Sequence, residues 1–112
     1  MNEAYISQAD LHRLNVAVRQ CALRKPAWDF WVDPVDATSH PGKGVRPFVL
    51  ICARPVQHRD FPYSHYGSLE LDEFKGKQVD DLLEKVSNAI MEGMRRWCEW
   101  HIPGCKKRPP SD

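Results

Sequence analysis

The stretch VDDLLEKVSNAIMEGMRRWCEWHIPG, residues 79–104, predicts the longest element of this protein. Acidic residues in its first turn favour a helix N-terminus, and Pro103 with Gly104 ends the helix. Apolar side chains recur every three or four positions between these signals, at Val79, Leu82, Leu83, Val86, Ile90, Met94, Trp97, Cys98 and His101. This spacing places them on one face of an α-helix that is ~36 Å long at ~1.5 Å per residue.

A second helix is predicted near the N-terminus, from about residue 8 to residue 24. Ser7 and Asp10 have the spacing of a capping box, with Asp in place of Glu, and Pro26 stops the helix. Its apolar stripe consists of Leu11, Leu14, Val18 and Cys21. Like the long helix, it therefore has one face to bury.

Three strands are predicted between the helices, at residues 28–33, 48–53 and 66–71. The first strand alternates, so Trp31 should point away from the face that carries its other aromatic residues. The segment 34–47 contains three prolines and two glycines and is expected to be a loop. The second strand is apolar on both faces, as is typical of a central strand.

The order helix–strand–strand–strand–helix predicts an α+β fold, with a three-stranded antiparallel sheet and both helices on one face. We expect residues 1–105 to form a single domain and residues 106–112 a short, basic, proline-containing tail. Since each helix has only one apolar stripe, the far face of the sheet is left to solvent or to a partner.

Composition excludes some classes of function. The formal net charge is +1, which predicts no strong attraction to nucleic acid or to an anionic membrane. The longest apolar run, residues 48–53, is far shorter than the ~20 residues that a membrane-spanning helix needs. The N-terminus has no basic region followed by an apolar one, so a cytoplasmic protein with reduced cysteines is expected.

The end of the long helix contains residue types that bind zinc. Cys98 and His101 share one helix face, Cys105 follows the turn, and Cys21 is a possible fourth ligand. The spacing lacks a paired C-x₂-C motif, and Cys98 continues the apolar stripe, so a structural role is favoured and no metal or cofactor is expected. A disulfide between Cys105 and either Cys21 or Cys98 is a third interpretation.

No catalytic signature is present, and we predict that the protein is not an enzyme. The run 40–46 resembles a phosphate-binding loop, but it leads into a strand rather than a helix. Its basic residues, Lys43 and Arg46, are instead expected to contact a partner. The element order is similar to that of double-stranded-RNA-binding domains, although the long helix begins with Asp80 and Asp81 where that family has lysines.

The aromatic residues are more numerous than a small core requires, with four Trp, four Phe and three Tyr. Such a surplus is typical of an interaction surface. The predicted function is therefore non-catalytic binding to a protein or nucleoprotein partner. In size and general character the chain resembles phage-encoded inhibitors of host defence, including anti-CRISPR proteins. The residues predicted to bind the partner are Trp31, Tyr63, His65, Tyr66, Trp100, Lys43 and Arg46.

Overall fold

The computed structural model describes residues 6–35, 47–61 and 63–101. Its strands are β1 (Trp28–Val35), β2 (Phe48–Pro55) and β3 (His65–Glu70), which form one antiparallel sheet in the order β1-β2-β3. Its α-helices are α1 (Gln8–Ala22), α2 (Leu71–Phe74) and α3 (Val79–His101), and a 3₁₀ turn spans Val56–His58. The predicted α+β class, element order and antiparallel sheet are confirmed.

Both long helices cover the same face of the sheet. Helix α1 packs on β1 and on α3, while α3 packs on β2 and β3. Side chains from these elements form one buried apolar cluster, whose fully buried aliphatic members include Leu14, Val49, Ile51, Leu82, Val86 and Ile90. Burial of this shared apolar surface is the main force that holds the helices on the sheet.

The register of the strands assigns residues to the two faces. Ile51 lies opposite Val32 and Gly67, and this row faces the helices. Cys52, one residue later, lies opposite Trp31 and Tyr66. Because successive side chains of a strand point to opposite faces, this second row lies on the face away from the helices. We refer to it as the open face.

Two glycines allow α3 to approach β3 closely. A Cβ atom at Gly67 would lie 2.4 Å from the backbone oxygen of Ala89. A Cβ atom at Gly93 would lie 3.2 Å from both the Cβ of Ala53 and the backbone oxygen of His65. The absence of side chains here lets the helix rest on the backbone of β3, and this contact brings the end of α3 beside the start of that strand.

The local details differ from the sequence-based expectations at several places. Helix α1 ends at Ala22 rather than at residue 24, and α2 was not predicted. Ser7 Oγ accepts a hydrogen bond from the Asp10 amide at 3.0 Å, as in the first half of a capping box. The Asp10 carboxylate instead accepts from the Gly76 amide at 3.0 Å and from Arg13 at 2.7 Å, so it ties α1 to the segment before α3.

Some predictions fall on residues that the structure does not describe. The proposed boundary between domain and tail at residue 105, and the loop residues Lys43 and Arg46, lie outside the described ranges. Within those ranges, no helix combines the length and apolar character that crossing a membrane requires.

Candidate functional site

Aromatic and imidazole rings gather where the last turns of α3 meet the start of β3 and the turn that follows β2. We call this group the aromatic cluster. Its members are His58, Phe61, Tyr63, His65, Trp97, Trp100 and His101. The helix supplies three of these rings, the turn supplies three, and β3 supplies His65. The cluster therefore depends on three segments that are separated in sequence.

Trp97 is the buried centre of the cluster. Its ring stacks on His101, one helical turn later, with centroids 4.1 Å apart and an interplanar angle of 29°. It also contacts His58 at 5.8 Å, Phe61 at 5.9 Å and His65, edge to face, at 5.8 Å. Aromatic contacts of this kind have preferred geometries, so a buried Trp97 restricts where the surrounding rings can lie.

His65 and His101 form a pair within the cluster, with their Nε2 atoms 3.0 Å apart. A hydrogen bond between them needs one N–H and one unprotonated nitrogen, so both imidazoles cannot carry a second proton. The pKa of His65 is lowered, first because partial burial disfavours the charged ring, and then by the nearby His101 and Arg96. Arg96 is itself paired with Glu92 at 2.8 Å. The structure thus favours a neutral His65.

The outer side of the cluster exposes three large aromatic residues. The side chains of Trp100, Tyr63 and Phe61 are 73%, 64% and 39% exposed. Trp100 stacks on His65, with centroids 6.4 Å apart and planes inclined by 15°, and Phe61 contacts Tyr63 edge to face at 6.2 Å. Three of the residues predicted to bind the partner, Tyr63, His65 and Trp100, therefore belong to one cluster.

A cleft of about 330 Å³ opens beside the cluster. It lies between the start of β1, the end of β2 and the last turns of α3, and it is lined by Ala27, Trp28, Pro55, Gln57, His58, Phe61, Trp97 and His101. Asp29, which follows Trp28 in β1, accepts a bidentate ion pair from Arg59, at 2.7 and 3.0 Å. This pairing lowers the pKa of Asp29, chiefly through the hydrogen bond from Arg59.

The other two predicted aromatic contacts belong to the open face. Trp31 is half-buried, and the guanidinium of Arg54 lies 5.0 Å from its ring centroid. Tyr66 is more exposed, with Arg96 5.6 Å from its ring centroid. Between them, Cys52 is buried, and burial raises the pKa of its thiol to about 11. The predicted binding residues are thus divided between two surfaces.

Among the described residues considered as zinc ligands, Cys21 lies far from Cys98 and His101. Cys21 lies at the contact between α1 and α3, where its sulfur is 3.8 Å from the backbone oxygen of Leu83. Residues 83 and 98 are ~22 Å apart along a helix at ~1.5 Å per residue, which excludes Cys21 from a site shared with Cys98 and His101. The described residues contain no group of three or more His, Cys, Asp or Glu side chains that could hold a metal ion, and Cys105 lies outside them.

Sequence reasoning missed the contribution of the turn after β2. In the segment between β2 and β3, the sequence pointed only to Tyr63 as a binding residue. The structure shows that His58 and Phe61 complete the cluster and line the cleft. Their spacing of three residues was the available signal, since a turn closed by the hydrogen bond from the Phe61 amide to the His58 carbonyl brings the two rings within 5.6 Å of each other. Trp97 was correctly predicted to be buried, but its ring also forms a wall of the cleft.

The start of α3 bears on the nucleic-acid alternative. Asp80 and Asp81 are exposed in its first turn, close to Lys77. Carboxylates at this position oppose phosphate contacts of the kind that double-stranded-RNA-binding domains make with lysines. The element order resembles that family, whereas the charges at this helix end do not. Comparison with protein-family models, with curated proteins and with solved structures found no significant match to this chain.

Proposed function

We propose that this chain is a non-catalytic binding protein that recognises a protein partner through the aromatic cluster. The observation that supports the proposal best is the exposure of Phe61, Tyr63 and Trp100 in one ring cluster built around a buried tryptophan. Large apolar rings in contact with water are unfavourable unless a partner covers them, and aromatic residues dominate the binding energy of many interfaces.

The cluster also has the rigidity that an anchor requires. Trp100 is stacked on His65, which is bonded to His101, which in turn is stacked on the buried Trp97. Because these rings are held before binding, less side-chain entropy is lost when the partner docks. A single well-buried anchor contributes ~2 kcal/mol or more, about thirtyfold in dissociation constant.

We place the main anchor at Trp100 rather than at Trp31. The sequence predicted that Trp31 lies on the open face, and the strand register places it there. Its ring is half-buried and has Arg54 beside it, so it offers less free surface than Trp100 does. We therefore assign Trp31 and Tyr66 to a secondary contact surface, and Tyr63 and Trp100 to the main one.

Capture of the partner is the first test. The protein is purified by affinity from its native host with and without nuclease, and bound proteins are identified by mass spectrometry. We expect at least one protein to remain bound after nuclease treatment. Loss of every bound protein would favour the nucleic-acid alternative, in which Lys43 and Arg46 carry affinity and binding falls steeply with salt.

Binding of the captured partner by variants tests the surface itself. Trp100→Ala and Tyr63→Ala should each weaken binding by about tenfold to thirtyfold while leaving the melting temperature nearly unchanged, because both side chains are exposed. Leu23→Ala is the matched control, since Leu23 is also exposed and apolar but follows α1 and lies outside the cluster. A Lys43→Ala, Arg46→Ala variant should bind almost normally at physiological salt. Equal loss with the Leu23 control would contradict the proposed surface.

Inhibition of a host-defence complex remains a more specific form of this proposal. It is supported only by the small size of the chain and by the lack of a catalytic signature. The identity of the captured partner tests it directly: the inhibitor proposal requires that partner's activity to fall when this protein is added, and the fall should be smaller with Trp100→Ala.

A further inference from the structure

We propose that the cleft beside the aromatic cluster receives the ring of one tyrosine or tryptophan side chain from the protein partner. This inference rests on the proposed function, because it specifies what the partner inserts at that site. The cleft shares four rings with the aromatic cluster, but the two proposed main anchors, Tyr63 and Trp100, are not among the residues that line it.

The size of the cleft suits a single side chain. Its volume is about 330 Å³, close to the lower end of the ~300–1,000 Å³ that is usual for small-molecule pockets. Partner side chains that contribute most to binding commonly fill well-packed pockets at an interface, and among them Trp, Tyr and Arg predominate.

The walls of the cleft favour a planar ring. Trp28 and Trp97 line it from β1 and α3, and Phe61 lines it from the turn, so three aromatic rings border the space. Pro55 adds a rigid apolar surface at the end of β2. An inserted ring could contact these side chains by offset stacking or edge to face, the two arrangements that aromatic pairs prefer.

The polar groups of the cleft distinguish among the candidate side chains. Gln57, His58 and His101 line it and offer hydrogen-bond donors and acceptors to a phenol hydroxyl or an indole N–H. No carboxylate is among the described residues that line the cleft, and Asp29, which follows Trp28 in β1, is already engaged by Arg59. An inserted arginine or lysine would therefore meet no available counter-charge, and burial of an unpaired charge is strongly unfavourable. Tyrosine and tryptophan satisfy both conditions.

The four tryptophans provide a direct test without the partner. Trp28 and Trp97 line the cleft, whereas Trp31 lies on the open face and Trp100 on the outer surface of the cluster. We would titrate N-acetyl-tyrosinamide into ¹⁵N-labelled full-length protein and follow the four indole N–H signals by NMR. The signals of Trp28 and Trp97 should shift saturably, with a dissociation constant of roughly millimolar order for so small a ligand, and those of Trp31 and Trp100 should move little.

Two controls make the result decisive. Phe61→Ala removes one wall of the cleft and should weaken probe binding by about tenfold, while Leu23→Ala should not change it. N-acetyl-lysinamide should give no saturable shift. Absence of a saturable shift with the tyrosine probe, equal shifts at all four tryptophans, or equal binding of the lysine probe would overturn the proposal. The probe experiment does not use the partner, so the two proposals can fail separately. If the probe binds but no partner is captured, the proposed function is refuted and the cleft proposal is not. If a partner is captured but the probe does not bind, only the cleft proposal is refuted.

Discussion

The two halves of α3 follow the same helical periodicity but present different chemistry. In the N-terminal half, Leu82, Val86 and Ile90 are fully buried between α1 and the sheet. In the last turns, Trp97 is buried whereas Trp100 is largely exposed and His101 is partly so. The N-terminal half of α3 is therefore covered by the protein's own core, whereas its last turns carry rings that contact water.

This contrast separates stability from recognition along one helix. The hydrophobic effect has no preferred direction, and the aliphatic side chains in the first half of α3 are already buried in the folded chain. Their burial therefore stabilises the fold. Aromatic and imidazole rings interact in preferred orientations, and a ring that is exposed to water can bind a partner. Substitutions should therefore unfold the protein in the first half of α3 and impair binding with little loss of stability in its last turns.

The largest expected effect is that of Ile90→Asp. Ile90 is fully buried in the apolar cluster, so the substitution would place an unpaired carboxylate there. The cost should be several kcal/mol, comparable to the whole stability of a small domain. We expect loss of the cooperative thermal transition, measured by circular dichroism.

The neighbouring residue supplies a control for this effect. Met91 is 50% exposed, so Met91→Asp places the same charge on the outer side of the same helix. Its melting temperature should stay within a few degrees of the wild-type value. A folded Ile90→Asp protein, or equal damage from both substitutions, would contradict the packing of α3.

An intermediate effect is expected for Gly67→Ala. The new methyl group would meet the backbone of Ala89, which cannot move aside as a flexible side chain can. The methyl group should push α3 away from β3 and lower the free energy of unfolding by ~1–3 kcal/mol. This loss would be measured as a lower urea midpoint. Gly93→Ala should cost less, because its nearest neighbours would lie at 3.2 Å rather than 2.4 Å. The opposite ranking would show that the helix approaches the sheet differently.

A smaller effect on the free energy of unfolding is expected at acidic pH, where His65 can be protonated. Its pKa in the folded protein lies below the ordinary value of 6.5. As the pH falls below about 6.5, the unfolded chain binds a proton at this imidazole that the folded chain does not, so the free energy of unfolding decreases. This part of the stability is present above pH 6.5 and is lost as the pH falls toward the lower folded pKa.

Urea unfolding at pH 7 and pH 5 measures that loss. The wild-type protein should lose more stability between the two values than His65→Gln, which cannot take up the proton. The histidines outside the His65–His101 pair are unchanged in both proteins, so the difference reports on this pair. Identical losses would mean that the His65–His101 pair does not disfavour protonation at His65.

The sequence by itself predicted the fold class because the relevant signals are local. The spacing of Leu82, Val86 and Ile90 identifies a helix face, and the alternation around Trp31 assigns that residue to the open face of a strand. Such patterns depend on backbone geometry over a few residues, which explains why the three strands and both long helices were placed with only small errors at their ends. The exposure of Trp100 could be predicted for the same reason.

Tertiary packing alone decided the composition of the candidate site. His65 and His101 are 36 residues apart in the chain, and their ring nitrogens meet only because α3 rests on β3 at Gly67 and Gly93. The cleft likewise joins Trp28, at the start of the sheet, to Trp97 near the end of the last helix. Periodicity shows which face of an element is apolar, but it does not show which distant element covers that face. The choice of covering element depends on side-chain volume and close packing throughout the core.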